Sequence, residues 1–227
     1  MTREEEKYFE KLEEESRDNP LIKVQAAADY LVGTILKAVK TPQGINGNLF
    51  CKMMSVYTGI AVADTAKKLS EQNLITGDLK AKGMPRTRLD TEAGIFWIGD
   101  DINSLLFGHQ YSVWHLVMTG VVMKKGPSAV PNMQEIIEHN ARIIGDPSVT
   151  LWESMYSPYS DFEDAKHSFY VLKEKLAPYK FVENEYYQVF AMALMMVILQ
   201  VEAAFPKEMD CVKMAMELVV FDAHMDV

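Results

Sequence analysis

The last third of the chain constrains the fold most, because it contains two long, strongly apolar helical segments with almost no link between them. Helical spacing of apolar residues predicts one helix over residues 183–204 and another over residues 206–222. Phe205-Pro206 is too short to do anything except fold the two into an antiparallel pair. The longest apolar run, residues 189–199, has eleven residues, whereas a membrane-spanning helix needs roughly 20. The run therefore predicts a buried core helix.

Residues typical of helix starts and helix ends divide the rest of the chain into further predicted helices. Asn19-Pro20 is typical of a helix start, and Thr41-Pro42-Gln43-Gly44 ends that helix. Further helices are predicted over residues 46–72, 101–107, 112–124, 131–144 and 161–176. About eight or nine helices with short connections predict an all-α, single-domain multi-helix bundle over residues 19–227. An acidic helix over residues 1–18 precedes it.

The stretch from residue 73 to residue 93 is the least regular, since Gly77, Gly83 and Pro85 exclude a long helix. Leu74-Ile75-Thr76 and the four apolar residues 95–98 are each typical of a strand. The sequence thus leaves room for one small β-hairpin near residues 74–98.

Composition and charge restrict the compartment and the partners. The net charge of −9 over 227 residues disfavours nucleic acid and favours solubility and basic protein partners. Cys51 and Cys211 lie in apolar helical patterns, which predicts two buried thiols in a reducing compartment. The charged N-terminus lacks the apolar core of a secretory signal. These features predict a cytoplasmic protein that does not enter the membrane.

Residues 94–115 concentrate the side chains most typical of a binding site. One acid directly before Ile102 is expected to be a helix N-cap, and Trp97 and Trp114 are expected to be core residues. The remaining polar side chains predict a ligand-binding site and should converge on a pocket of a few hundred Å³. The predicted ligand-binding residues are Asp100, Asp101, Asn103, His109, Ser112, His115 and Thr119.

Two other clusters are candidate sites. Glu135 with His139, and Asp164 with His167, have helical spacings like the ligand pairs of di-metal helical bundles. The other acids of this cluster are Glu138, Asp161 and Glu163. Di-metal bundles use two matched Glu-x-x-His pairs, which the chain lacks. The sequence therefore predicts neither a metal nor another cofactor. The four cations Lys80, Lys82, Arg86 and Arg88 predict first a solvated loop, second a dock for an acidic partner, and third a DNA contact.

No motif in the sequence specifies a reaction, since nucleophile elbows, phosphate loops and dinucleotide fingerprints are absent from it. The sequence therefore favours a soluble intracellular helical protein with a non-catalytic interaction or regulatory role, as an accessory or inhibitor-type protein. The alternative is a helical enzyme or a small-molecule- or metal-binding protein with a pocket near residues 100–115. Nucleic-acid binding through residues 80–88 ranks third. The sequence leaves undecided whether the protein is a homo-oligomer, because either the chain itself or a second subunit could cover the apolar last helix.

Overall fold

The computed structural model of the chain describes residues 2–71, 86–92, 94–146, 161–204 and 211–227. Within these residues, eight helices of eleven residues or more make up most of the fold, which confirms the predicted mostly helical class. They are α1 (Arg3–Glu15), α2 (Leu21–Val39), α3 (Gly47–Glu71), α5 (Val113–Lys125), α6 (Met133–Ile143), α7 (Phe162–Lys175), α8 (Tyr186–Ala204) and α9 (Cys211–Ala223). The one-turn helix α4 (Asp100–Asn103) continues into a π-helical turn, Ser104–Gly108.

Helices α3 and α8 form the centre of the molecule. α3 packs most extensively against α9 and α8, and α8 also packs against α5 and α2. Nearly every residue of α3 from Met53 to Ala66 is buried, including the polar side chains of Ser55, Thr58 and Asp64. A helix covered on several sides is apolar around most of its circumference, which explains why its sequence has no clear polar face. Cys51 and Cys211 are both buried and unbridged, as predicted.

Gly59 lets α3 and α9 approach each other closely. A methyl group at this position would lie 2.9 Å from the carbonyl oxygen of Val219 and closer still to the Cβ of Asp222. Gly120 has a similar relationship with Met195, a flexible side chain of α8. These glycines therefore serve helix packing and do not mark breaks in their helices.

One helical segment of the described chain, Glu183–Ala204, is long and apolar enough to cross a membrane by length and composition. In its most apolar stretch 56% of the residues are buried inside the molecule. Core helices of soluble proteins pass the same test, so the absence of a membrane role stays a prediction.

The predicted hairpin exists, but its first strand lies later in the sequence than expected. Strand β4 (Gly94–Ile98) pairs antiparallel with β3 (Thr87–Thr91), with Leu89 opposite Phe96. Leu74-Ile75-Thr76 lies outside the described residues. A second two-stranded pair, β1 (Lys40–Thr41) with β2 (Gly44–Ile45), makes the turn between α2 and α3.

The residues that follow α9 lie along the other edge of β4. The amide of Trp97 donates to the carbonyl of His224 over 2.7 Å, and the amide of Asp226 donates to the carbonyl of Ile95 over 3.1 Å. Phe96 forms an antiparallel bridge with Met225 between these two bonds. The chain end thus joins the hairpin to α9 and brings residues from both beside α3.

Candidate ligand-binding cavity beside the hairpin

A cavity of about 230 Å³ lies where the hairpin, the residues after α9 and the end of α3 meet. Four of its apolar lining residues are buried, whereas those from the last turns of α3 are exposed, so the cavity combines an apolar floor with a polar mouth. The floor is made by Ala63, Ile102, Ala223 and Met225, and the mouth by Lys67, Ser70 and Glu71; Arg86, Trp97, Asp226 and Val227 complete the lining. This combination is typical of small-molecule sites.

Trp97 forms one side of the cavity and is only half-buried, although the sequence predicted a core residue. Its indole Nε1–H donates to Oδ1 of Asp226 over 2.8 Å. Together with the backbone bond from Trp97 to His224, this contact fixes the indole against the end of the chain.

Arg86 is the most informative residue of the lining. Its Nε donates to Oδ2 of Asp101 over 2.5 Å, and the two side chains are only 15% and 12% exposed. Its Nη2 is buried and has no hydrogen-bond partner within the described part of the chain. An unpaired buried donor on a charged group is costly, and native structures rarely leave one without an explanation such as a missing ligand, ion or water.

The ionisable side chains of the lining carry both signs of charge. Lys67 and Arg86 contribute two cations, and Glu71 and Asp226 contribute two acids. The ammonium group of Lys67 donates to the backbone oxygen of Val227. The site is therefore polar at its entrance without a large excess of either charge.

His224 lies outside the lining, on the segment that pairs with β4. Its side chain is buried, and its Nδ1–H donates to the carbonyl of Val220 over 2.7 Å. Burial lowers the pKa of this imidazole below its ordinary value of 6.5, and the bond to Val220 offsets only part of that effect. The neutral imidazole is accordingly the form that the folded protein favours.

The seven predicted ligand-binding residues fall into two groups, and none of them is among the described residues that line this cavity. Asp100 and Asn103 are exposed on α4, while Asp101 lies behind Arg86. The expected N-cap is wrong: Gly99 takes that position, and both acids belong to the first turn of α4. Asp101 reaches the cavity indirectly, through its ion pair with the lining residue Arg86, and the binding role of the set stays a prediction.

His109 belongs to the second group and is half-buried. Its Nε2 lies 3.3 Å from the hydroxyl of Tyr187, and its Nδ1 accepts from the amide of Tyr111. Burial, and then the charge of His115, lower the pKa of His109. Burial also raises the pKa of Tyr187 to about 12, so the hydroxyl of Tyr187 stays protonated near neutral pH.

Ser112 and His115 form a helix cap. Ser112 Oγ accepts from the amide of His115 at the start of α5 and lies 2.9 Å from Nδ1 of the same residue. A Ser–His contact also occurs in nucleophilic catalysis, but Ser112 is fully buried and so is closed to a substrate. His115 and Thr119 are exposed, and Thr119 donates to the carbonyl of His115. Local capping explains this arrangement.

The acidic and histidine cluster on α6 and α7 forms local contacts. Asp161 caps α7 by accepting from the amide of Asp164, Glu163 pairs with Lys166, and Glu138 accepts from Gln134. Across the described ranges, no three such side chains come close enough to hold a metal ion.

In the basic cluster of four cations, the two arginines form ion pairs with nearby acids. Arg86 pairs with Asp101 and Arg88 pairs with Asp90, whereas Lys80 and Lys82 lie outside the described residues. Sequence reasoning assigned Arg86 to this cluster and missed its role in the cavity, as it missed Lys67 and Asp226. The one sequence feature that could have indicated the Arg86–Asp101 ion pair is that a cation precedes the two acids by about fifteen positions.

Comparison of the chain with protein-family models, with curated proteins and with solved structures gives no match. What the protein does must therefore be inferred from the geometry of its own residues.

Proposed function

We propose that this protein is a non-catalytic, regulatory binding protein that holds a small molecule in the cavity beside the hairpin. The observation that carries the proposal is the buried Nη2 of Arg86, which lacks a partner among the described residues while its side chain lines a cavity with an apolar floor. A ligand that supplies an acceptor would compensate this donor.

Binding is favoured over turnover by the residues around the cavity. Among the described lining residues there is neither a histidine nor a cysteine, and Asp226 is engaged by the indole of Trp97. General acid–base and nucleophilic catalysis most often use such groups. The remaining candidates in the lining, Lys67, Ser70 and Glu71, lie exposed at the mouth, where a substrate is not shielded from water. A regulatory protein needs only to bind its ligand and does not convert it, so a regulatory role agrees with this lining.

A thermal-shift screen tests the proposal. Purified protein is mixed with a panel of metabolite-sized acids, amines and neutral compounds, and ligands are expected to raise Tm. Ala63→Leu fills the floor of the cavity and should abolish the shift, whereas Ala26→Leu, on the distant helix α2, should retain it. Circular dichroism confirms that both variants fold. A panel without any hit, or hits that persist in folded Ala63→Leu, would reject the cavity as a binding site.

The acidic helix α1 favours a second candidate function, docking to a basic protein surface. Seven glutamates against three cations lie in its thirteen residues, and Leu12 is its one buried residue. Phe9 attaches the helix through an edge-on contact with Tyr179, at a ring distance of 5.0 Å. The remaining surface is exposed, so complementary charge would guide a partner to it.

Affinity capture at two salt concentrations tests this second function. The full chain is expected to retain basic proteins at low salt and to lose them at high salt, where exposed charges are screened. The triple variant Glu4→Gln, Glu10→Gln, Glu14→Gln should lose them already at low salt. If wild type and variant retain the same proteins, α1 is not the docking surface.

A further inference from the structure

We infer that the ligand of this cavity is a small monocarboxylate with a flat apolar body, its carboxylate bound by Arg86 and its body lying against Trp97. The inference rests on the proposed function of the cavity and narrows it to one chemical class.

The guanidinium group of Arg86 selects the carboxylate. Asp101 occupies only Nε, so the other donors of the planar fork are not used by that ion pair. The guanidinium fork matches a planar carboxylate with two parallel bonds, and such charge-assisted bonds are stronger than neutral ones. The buried Nη2 has no partner among the described residues, and an acceptor of this shape would supply one after a small rotation of the side chain toward the cavity. Lys67 places a second cation at the mouth.

The acids in the lining argue against more highly charged ligands. Glu71 and Asp226 stand in the same lining as the two cations, so a phosphate dianion or a nucleotide would meet repulsion as well as attraction. A single negative charge next to Arg86 avoids most of this repulsion. The charge balance therefore selects a monocarboxylate over a phosphorylated compound.

The size and the walls of the cavity select the body of the ligand. Its volume of about 230 Å³ lies below the 300–1,000 Å³ that is typical of sites for drug-sized molecules. Ala63, Ile102 and Ala223 offer methyl and methylene surface, and the half-buried Trp97 adds an aromatic ring to the lining. A short acid with one ring or an equivalent flat apolar group fits these walls.

Matched acids and amides test the inference. Benzoate, phenylacetate and 3-phenylpropionate are titrated beside benzamide, phenylacetamide and 3-phenylpropionamide, and binding is followed by calorimetry and by the NMR signal of the Trp97 indole N–H. At least one acid should bind about tenfold or more tightly than its amide, which corresponds to one charge-assisted hydrogen bond. The same acid should shift the indole signal, because its body lies against that ring.

Two Arg86 variants and one control locate the carboxylate. Arg86→Gln should reduce binding of the acid about tenfold or more and leave the amide nearly unchanged. Arg86→Lys keeps a cation beside Asp101 but removes the planar guanidinium group, and should also weaken binding of the acid. This variant tests the inference if Arg86→Gln does not fold. Arg88→Gln, two residues away on an exposed arginine paired with Asp90, should bind like wild type.

The possible outcomes distinguish a wrong ligand class from a wrong site. Equal binding of acids and amides, or acids that bind Arg86→Lys as tightly as wild type, would overturn the carboxylate assignment and leave the cavity as a binding site. Acids that do not bind, while other compounds in the thermal-shift panel do, would overturn it in the same way. If the panel is also negative, the proposed function itself fails.

Discussion

The ammonium nitrogen of Lys173 lies 2.7 Å from Oδ2 of Asp64, and both side chains are almost completely buried between α3 and α7. Lys173 also donates to Glu183 over 3.0 Å, and Lys68 bridges the same two carboxylates. The hydroxyl of Tyr170 donates to the other oxygen of Asp64 over 3.1 Å. This network joins three segments of the chain, and each of its charges has an opposite charge beside it.

Removing Lys173 is expected to destabilise the protein strongly. Lys173→Met leaves the carboxylate of Asp64 buried with less compensation and should lower the free energy of unfolding by about 3–5 kcal/mol. Lys166→Met, on the same helix, removes a pair with the exposed Glu163 and should cost less than about 1 kcal/mol. Urea denaturation measures both. Similar small losses in the two variants would mean that the buried pair contributes no more than a surface pair.

Gly59→Ala is expected to disturb the contact between α3 and α9. The added methyl group would collide with Val219 and Asp222, and overpacking of this kind costs about 1–3 kcal/mol. Gly33→Ala, in α2, meets nothing within 4 Å and should instead stabilise the protein by about 0.5–1 kcal/mol. Thermal unfolding of the two variants compares them directly. A stabilised Gly59→Ala would show that the helices can move apart freely.

Ser112→Ala is expected to cost about 1 kcal/mol, because it removes the side chain that caps α5. His115→Ala should cost less, since His115 is exposed and its amide keeps the bond to Ser112. Urea denaturation of both variants checks the order. A larger loss in His115→Ala would show that the imidazole, and not the serine hydroxyl, secures the helix start.

Burial of His224 is expected to make the protein less stable in mild acid. Because folding lowers the pKa of this imidazole below 6.5, the unfolded chain takes up a proton that the folded chain resists. The stabilisation is therefore present above pH 6.5 and is lost as the pH falls through the folded-state pKa. Urea midpoints at pH 7.5, 6.5 and 5.5 should decrease in that order.

A matched pair of variants assigns this acid sensitivity. His224→Gln removes the titrating group, keeps a donor for the carbonyl of Val220, and should flatten the decrease. His115→Gln, at an exposed position, should leave it unchanged. An identical pH profile in wild type and His224→Gln would assign the acid sensitivity to other groups, among them the half-buried His109.

The helices could be predicted closely because local residues set their ends. α3 was expected over residues 46–72 and runs from Gly47 to Glu71, with Asn46 accepting from the amide of Leu49 at its start. A helix was expected over residues 161–176, and α7 runs from Phe162 to Lys175 with Asp161 as its N-cap. These signals involve residues two to four positions apart, so the sequence around each helix end contains them in full.

The strand pairing and the site depended on residues far apart in the chain. β4 was expected from Ile95 to Ile98, but its partners are β3 on one edge and residues 224–226 on the other. The cavity likewise joins Lys67, Arg86 and Asp226, which no sequence spacing connects. Of the residues predicted as a site between Asp100 and Thr119, Asp101 contacts the lining residue Arg86, and the sequence did not point to this arginine. The binding role of the predicted set stays a prediction.

By itself, the sequence determined the helical class, the ends of most helices and the burial of both cysteines, because helical periodicity and capping are local properties. Only the tertiary structure decided which contacts Gly59, Asp64 and Arg86 make. Gly59 and Asp64 interrupt an apolar stretch of the sequence, and Arg86 belongs to a cluster of cations. Each makes its contact with a partner more than ten residues away. Close packing and burial of charge depend on which distant segments meet, and that choice is made by the fold as a whole.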